Sequence, residues 1–235
     1  MALPKLSHPT FELEIPSTKQ KIRYRPFLVK EEKILLIAQS SQDPKEIVYA
    51  VKQVIQNCCI EPIDIDELTT FDIEYFFIKL RSKSVNNIVN LRYRDLEDQN
   101  IYEFEVDLDQ IEISYSEEHE KTINVSKNTI LNLKYPKMNL INNLETVENE
   151  TDMVFEILRN CLDTVVHDSK IINVSEYSRE EIDEFIMSMD VGSFNKVQQF
   201  FNTMPKLRHE IVYNNSLGNK RTIVLQSLND FFQLG

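Results

Sequence analysis

The spacing of apolar residues changes after Ser84, and that change limits the folds open to the chain. Before it, Ile47, Val51, Val54, Ile55 and Cys58 recur at the helical interval, as do Ile73, Phe76, Phe77 and Leu80. After it, Tyr102, Phe104, Val106 and Leu108 alternate with polar residues, the interval of a strand with one buried face. Helices gathered in one stretch and strands in another define an α+β protein.

Start and stop signals divide the chain further. Phe11 to Ile15 and Lys21 to Arg25 alternate on either side of the turn residues Pro16 to Gln20, which reads as a β-hairpin. Pro26 suits the first turn of a helix that runs from Phe27 to Ser41, with Ile34, Leu35 and Ala38 inward and Lys30, Glu31, Glu32 and Lys33 in solvent. Asp43, Pro44 and Glu46 supply the cap, the first helical position and the capping-box acid of a second helix; Thr69 and Asp72 repeat the logic for a third.

Val89 to Arg94, Ile101 to Leu108, Ile111 to Tyr115, Thr122 to Val125 and Ile130 to Tyr135 then read as a meander, with a bulge or short turn at Asp109-Gln110 and Pro136 at its end. Residues 139–150, rich in Asn and Glu, read as a linker or a loosely packed segment. Beyond them Val154, Ile157, Leu158, Cys161, Leu162 and Val165 share a helical face, and Ser178 with Glu181 forms a capping box. Gly192 stops that helix and Ser193 caps another, closed by Met204-Pro205. Leu207 to Tyr213 and Arg221 to Leu225 form a hairpin about Asn214–Asn219, and a last apolar turn holds Leu228, Phe231 and Phe232. The expected order is an N-terminal β-hairpin with three helices (1–85), a central antiparallel β-meander (86–136), and a helical segment with a C-terminal β-hairpin (150–235). One domain, or two that meet near residue 140, would both accommodate it.

Charge is segregated. Residues 1–60 carry nine Lys/Arg against six Asp/Glu, whereas residues 61–120 carry five against seventeen, which accounts for essentially all of the net charge of -12. Such a field repels phosphate backbones, so nucleic acid is not the expected partner. The acidic block is either a solvated, solubilising surface or a docking face for a basic partner. The clusters Lys19-Lys21-Arg23-Arg25 and Arg92-Arg94 are either solvated strand faces or patches for an acidic neighbour. The longest uncharged run, Ile34 to Gln42, is about nine residues, against the roughly 20 that a membrane span needs. The first residues lack the apolar core of a secretory signal, and three cysteines in no disulfide pattern fit a reduced, cytosolic product.

No reaction is written in the sequence. With only three glycines there is no phosphate-cradling loop and no nucleophile elbow. His8, His119, His167 and His209 each stand alone, and His209 alternates with Leu207 and Ile211 as a core-edge residue. Cys58-Cys59 has no second pair at ligand spacing, and Cys161 belongs to an apolar stripe, so neither zinc nor a thiol nucleophile is expected. Asp64 with Asp66, and Asp107 with Asp109, could hold a hard cation for metal-assisted hydrolysis, but acidic strand edges are also commonly just solvated. No cofactor is expected.

Four segments together resemble the baseplate hub protein family of T-even-like contractile-tail bacteriophages. They are the opening Met1-Ala2-Leu3-Pro4-Lys5; Tyr24-Arg25-Pro26-Phe27-Leu28-Val29-Lys30-Glu31-Glu32-Lys33; Phe71-Asp72-Ile73-Glu74-Tyr75 leading to Lys79-Leu80-Arg81-Ser82-Lys83-Ser84-Val85; and Phe200-Phe201-Asn202-Thr203-Met204-Pro205-Lys206-Leu207-Arg208-His209. Tyr135-Pro136 and Phe231-Phe232 fit the same pattern, in order along nearly the whole chain, while residues 86–150 are similar only generically. The resemblance implies a non-enzymatic hub component or assembly factor that binds other hub proteins and is made in the host cytoplasm. A hub chaperone absent from the finished virion is the alternative, and a carboxylate-based metal hydrolase a more distant one. The family likeness carries over no catalytic residues. From the residues themselves, the partner-binding candidates are the basic pairs Arg23 with Arg25 and Lys206 with Arg208, and the apolar pair Phe231 with Phe232.

Overall fold

Alternation across Phe11–Glu14 (β1) and Lys21–Tyr24 (β2) gives an antiparallel hairpin that buries Leu13, Ile22 and Tyr24 on one face. The computed structural model describes residues 6–41, 43–144, 149–226 and 230. Pro26 precedes the first helix, Val29–Ser41 (α1), which starts two residues later than expected. The Leu28 carbonyl accepts from the Glu31 and Glu32 N–H groups, and the Leu28 N–H donates to the Glu31 carboxylate. Glu31 therefore reaches back to the N–H ahead of α1, as the acid of a capping box does, and is buried, not solvated. Pro44–Cys58 (α2) packs on α1; Asp43 caps it through the Lys45 N–H, and Val51, Val54, Ile55 and Cys58 are fully buried. Thr70–Ser84 (α3) is buried on most sides through Phe71, Ile73, Phe76, Phe77, Ile78 and Leu80. Asp72, expected only at a cap, is buried and accepts from the Ser17 N–H and hydroxyl.

Ile88–Arg94 (β3) and Ile101–Asp107 (β4) form a hairpin in full register, from Ile88 opposite Asp107 to Arg94 opposite Ile101. A 3-10 turn, Leu108–Gln110, is the short turn among the two alternatives expected at Asp109-Gln110, and Glu112–Ser114 (β5) follows it.

The chain then enters its second unit. By its contacts it divides into one unit of residues 1–65, 71–114 and 206–235, and another of 66–70 and 115–205. The second unit holds Thr122–Asn124 (β6), Thr129–Leu133 (β7), Met138–Leu144 (α4), Glu150–Cys161 (α5), Leu162–His167 (β8), Lys170–Asn173 (β9), Arg179–Met187 (α6) and Val191–Thr203 (α7). Its sheet runs β6-β7-β8-β9, all antiparallel. On its inner face Leu131, Val165 and Ile172 stand in one cross-strand row, and a core of Ile123, Leu158, Leu162, Ile186, Val197 and Phe200 gathers there. Residues 66–70 are tied to this unit by the Met138 N–H donating to the Leu68 carbonyl. Lys206–Asn214 (β10) and Lys220–Leu225 (β11) return to the first unit as the expected C-terminal hairpin, and β10 pairs also with β5.

The class is α+β, with helices and antiparallel strands in both units. Four further details differ from the sequence reading. The strands expected as one meander lie in three sheets: β3-β4, β11-β10-β5, and β6-β7 extended by β8-β9. The segment 139–150 carries most of α4 and the start of α5. The helical face drawn from Val154 to Val165 stops at Cys161, and Leu162 begins a strand. Gly192 lies inside the first turn of α7, whose cap is Asp190, accepting from the Ser193 N–H at 2.8 Å.

Candidate partner-binding surfaces

Arg23 on β2 and Arg25, just past its end, have different surroundings. Arg23 points outward, 62% exposed, and pairs with Glu61, its Nε 2.7 Å from Oε1. Arg25 is only 17% exposed: its guanidinium donates to Glu31 Oε1 at 3.0 Å, to the Pro26 carbonyl at 2.9 Å and to the Asn57 carbonyl at 3.0 Å. The hydrogen bond to Glu31 raises the Arg25 pKa further. Desolvation pushes the Glu31 carboxyl up, but Arg25 and the Leu28 N–H outweigh it and hold it below the usual range. Lys19 and Lys21 pair with Glu14 and Glu12 across the hairpin, so the basic run is answered locally. Lys206 and Arg208 stand at the start of β10, opposite Ser114 and Glu112; Lys206 is exposed and Arg208 pairs with Glu210, Nε to Oε1 3.0 Å. Phe231 and Phe232 lie outside the described residues.

The carboxylates considered for metal chemistry have protein donors. Asp107 caps the 3-10 turn, accepting from the Asp109 N–H at 3.0 Å and Asn87 Nδ2 at 3.1 Å. Asp109 accepts from Lys83 Nζ at 2.9 Å and Ser82 Oγ at 2.8 Å, which hold its pKa down. Lys79, itself buried, donates to the Asp109 carbonyl and to Glu112. Asp64 and Asp66 are exposed. Among the described residues no three His, Cys, Asp or Glu side chains gather as a metal site, and no helix is long and apolar enough to cross a membrane. Burial pushes the Cys58 thiol to about 11 and the Cys59 and Cys161 thiols to about 12, far from the thiolate that a nucleophile needs.

Two sites went unread in the sequence. In the first unit the tips of the β3–β4 and β10–β11 hairpins interlock. Asp95, fully buried, accepts from the Tyr213 hydroxyl, from the Glu97 N–H at 2.7 Å and from Arg221 Nε at 3.2 Å. Asp98 accepts from the Tyr102 hydroxyl at 2.6 Å and from Ser216 N–H and Oγ at 2.9 and 2.8 Å, while Glu97 accepts from Asn215 and Asn219. The rings of Tyr102 and Phe104 pack on Tyr213 at 4.8 and 5.1 Å. The hydrogen bond from Tyr213 holds the Asp95 carboxyl down; burial, with Asp95 beside it, pushes the Tyr213 phenol to about 12. Turn residues at 95–100 and 214–219 were visible, but their pairing across more than a hundred residues leaves no local trace.

In the second unit, a recess of about 450 Å³ opens between the sheet and α6. Leu162, Val165, Ile172, Val174, Ile182 and Phe185 form its apolar walls, and Thr129, His167, Tyr177 and Glu181 stand among them, with Thr129 Oγ1 2.9 Å from His167 Nδ1. The strand β9 that flanks it was hidden by reading β8 as helix. The signal was present: Leu162 to His167 is rich in β-branched residues, and Asp168-Ser169, both at positive φ, make a two-residue hairpin turn.

What the two units offer is surface: charges paired with each other, a filled polar clasp and an apolar recess. The chain belongs to the T4 bacteriophage base plate protein family, whose model matches residues 8–233 and so runs through both units. No curated protein and no solved structure matches it.

Proposed function

We propose that this base plate protein is a non-enzymatic component of the hub, made in the host cytoplasm and acting during tail assembly by binding other hub proteins. The observation that carries this reading is the family match across nearly the whole chain. Asp109 is taken up by Lys83 and Ser82 within the first unit, the arrangement of a structural carboxylate, and this supports the non-enzymatic part. Co-expression with the other base plate proteins of the same phage, followed by size-exclusion chromatography, tests it. An earlier-eluting complex with at least one hub protein is expected; elution of this chain alone in every combination would overturn the proposal. Mass spectrometry of purified particles then separates a permanent subunit, which must be present, from an assembly chaperone, which must be absent.

A further inference from the structure

We infer that the outward face of α1 is a contact between two copies of this chain, the two helices lying antiparallel about a two-fold axis. This self-pairing goes beyond the hub reading and does not depend on it.

The face follows from how the helix is buried. α1 turns Glu31, Leu35 and Ala38 inward. On the opposite side Val29, Lys33, Leu36, Ile37 and Ser40 recur at intervals of three and four residues and form one stripe. Val29 is 80% exposed, Ile37 60% and Leu36 56%. Exposed apolar residues scattered singly are ordinary. Three on one face of a 13-residue helix whose inner side is also apolar are the pattern of a helix covered from both sides.

Charge selects the occupant. Lys33 is the one charged residue within the stripe, and among the described residues it has no ion partner. Lys30 and Glu32 stand on the two flanks with opposite signs, and Lys30 is held by Glu31 at 3.3 Å. From Ile34 to Ser41 the helix carries no charge, its last turn has no basic side chain, and Asp43 follows. The C-terminus is also the negative end of the helix dipole. One half of the stripe is therefore positive and the other negative: two copies attract when antiparallel and repel when parallel. A two-fold axis between Leu36 and Ile37 sets each Leu36 against Ile37 of the other copy. The same axis brings each Lys33 beside Ser40 of the other copy, at the helix end that leads to Asp43. The net charge agrees with this location. Copies that each carry -12 repel overall, and residues 1–60, with nine Lys/Arg against six Asp/Glu, are a stretch of opposite balance.

A pair of 13-residue helices, each about 20 Å long, buries less than a standard interface, so the affinity is expected in the micromolar range.

Sedimentation velocity of the full chain between about 1 and 500 µM tests the pairing. A reversible shift from one copy to two with rising concentration is expected. Leu36→Glu with Ile37→Glu, both on the exposed face and away from the core, should abolish it. Lys33→Glu and Ser40→Lys should each weaken it about fivefold, and the two together should restore it, because the reversed charges meet again across the axis. Within one helix these positions lie two turns apart and do not touch, so only a second copy can join them. A chain that stays monomeric throughout, a dimer that survives the apolar double variant, or charge variants that fail to rescue each other would overturn the self-pairing. A monomeric wild type whose apolar double variant instead loses a hub protein in co-expression would also overturn it and assign the face to that protein. Failure of wild type to form any hub complex bears on the proposed function alone.

Discussion

The two units bury very different things near their surfaces. The first encloses carboxylates: Glu31, Asp72 and Asp95 are all fully buried, and each accepts from donors at fixed positions. Among the described residues no buried side-chain nitrogen or oxygen lacks a partner. The second gathers an apolar core under its sheet and leaves a recess of about 450 Å³ beside it. A filled network of this kind fixes geometry, because every member would pay a desolvation penalty if it lost its partner. An unfilled apolar hollow has the opposite property, since its walls forgo contacts that a guest would restore. The difference teaches that the two units are held in different ways, the first by buried charges with fixed partners and the second by an apolar core under its sheet.

Reversing the sign of one buried group is the most severe way to break this contrast. Arg25→Glu would set a carboxylate against Glu31 and strip it of its cation, with an expected loss of about 3–5 kcal/mol in urea unfolding. Arg23→Glu, two residues earlier on β2, faces solvent and Glu61 and should cost no more than about 1 kcal/mol. Equal losses would show that Arg25 is not the buried partner of Glu31. A gentler pair of variants sharpens the comparison by adding one methylene to each unit. Val51→Ile enters the tightly filled packing of α2 and is expected to destabilise by about 1–3 kcal/mol. Val174→Ile grows into the recess and is expected to stabilise by about 0.5–1 kcal/mol. Stabilisation by both, or by neither, would erase the difference in packing.

Much of the first unit was legible because its determinants are local. The N-terminal hairpin, the Asp43 cap with Pro44, the stripe on α2 and the hairpin about 95–100 each follow from residues within one turn or one strand of each other. Glu31 was misplaced because its sequence, between lysines and glutamates, is that of a solvated turn; only the approach of Arg25 makes it a core residue. In the second unit the difficulty was one of period. Leu158, Cys161, Leu162 and Val165 fall on a helical face, yet Leu162 and Val165 serve a strand, separated by the bulge at Asn132/Leu133 of the partner that shifts the register. Helix and strand intervals coincide over so few residues, and the β-branched content and the Asp168-Ser169 turn were the deciding signals. The recess, built from α6 and two unread strands, was invisible for the same reason. Of the expected partner-binding residues, Arg23 and Lys206 lie on the surface, Arg25 lies inside, and Arg208 is half-buried beside Glu210.

The smallest effect expected is in the pH dependence, where the units again differ in cause. In the second unit the His119 ring lies against Tyr135 and Phe200, with Nδ1 3.1 Å from Thr203 Oγ1 and Nε2 3.0 Å from the Tyr135 hydroxyl. Burial, then the nearby Lys121, lowers its pKa from the ordinary value of 6.5. In the first unit burial alone lowers that of His209 on β10. The unfolded chain takes up a proton at each site near its ordinary value while the folded chain resists. Each neutral histidine therefore contributes stability that is complete above pH 6.5 and lost as the pH falls through its lowered native pKa. His119→Gln should flatten the fall in urea midpoint as the pH drops below 6.5, and His209→Gln should flatten it separately. Below that window the depressed carboxylates of Glu31 and Asp109 add losses of the same sign, so acid weakens the clasped unit a second time. An unchanged slope in His119→Gln would mean that the ring takes up its proton as readily in the folded chain as in the unfolded one, and that its burial against Tyr135 and Phe200 does not resist the charge.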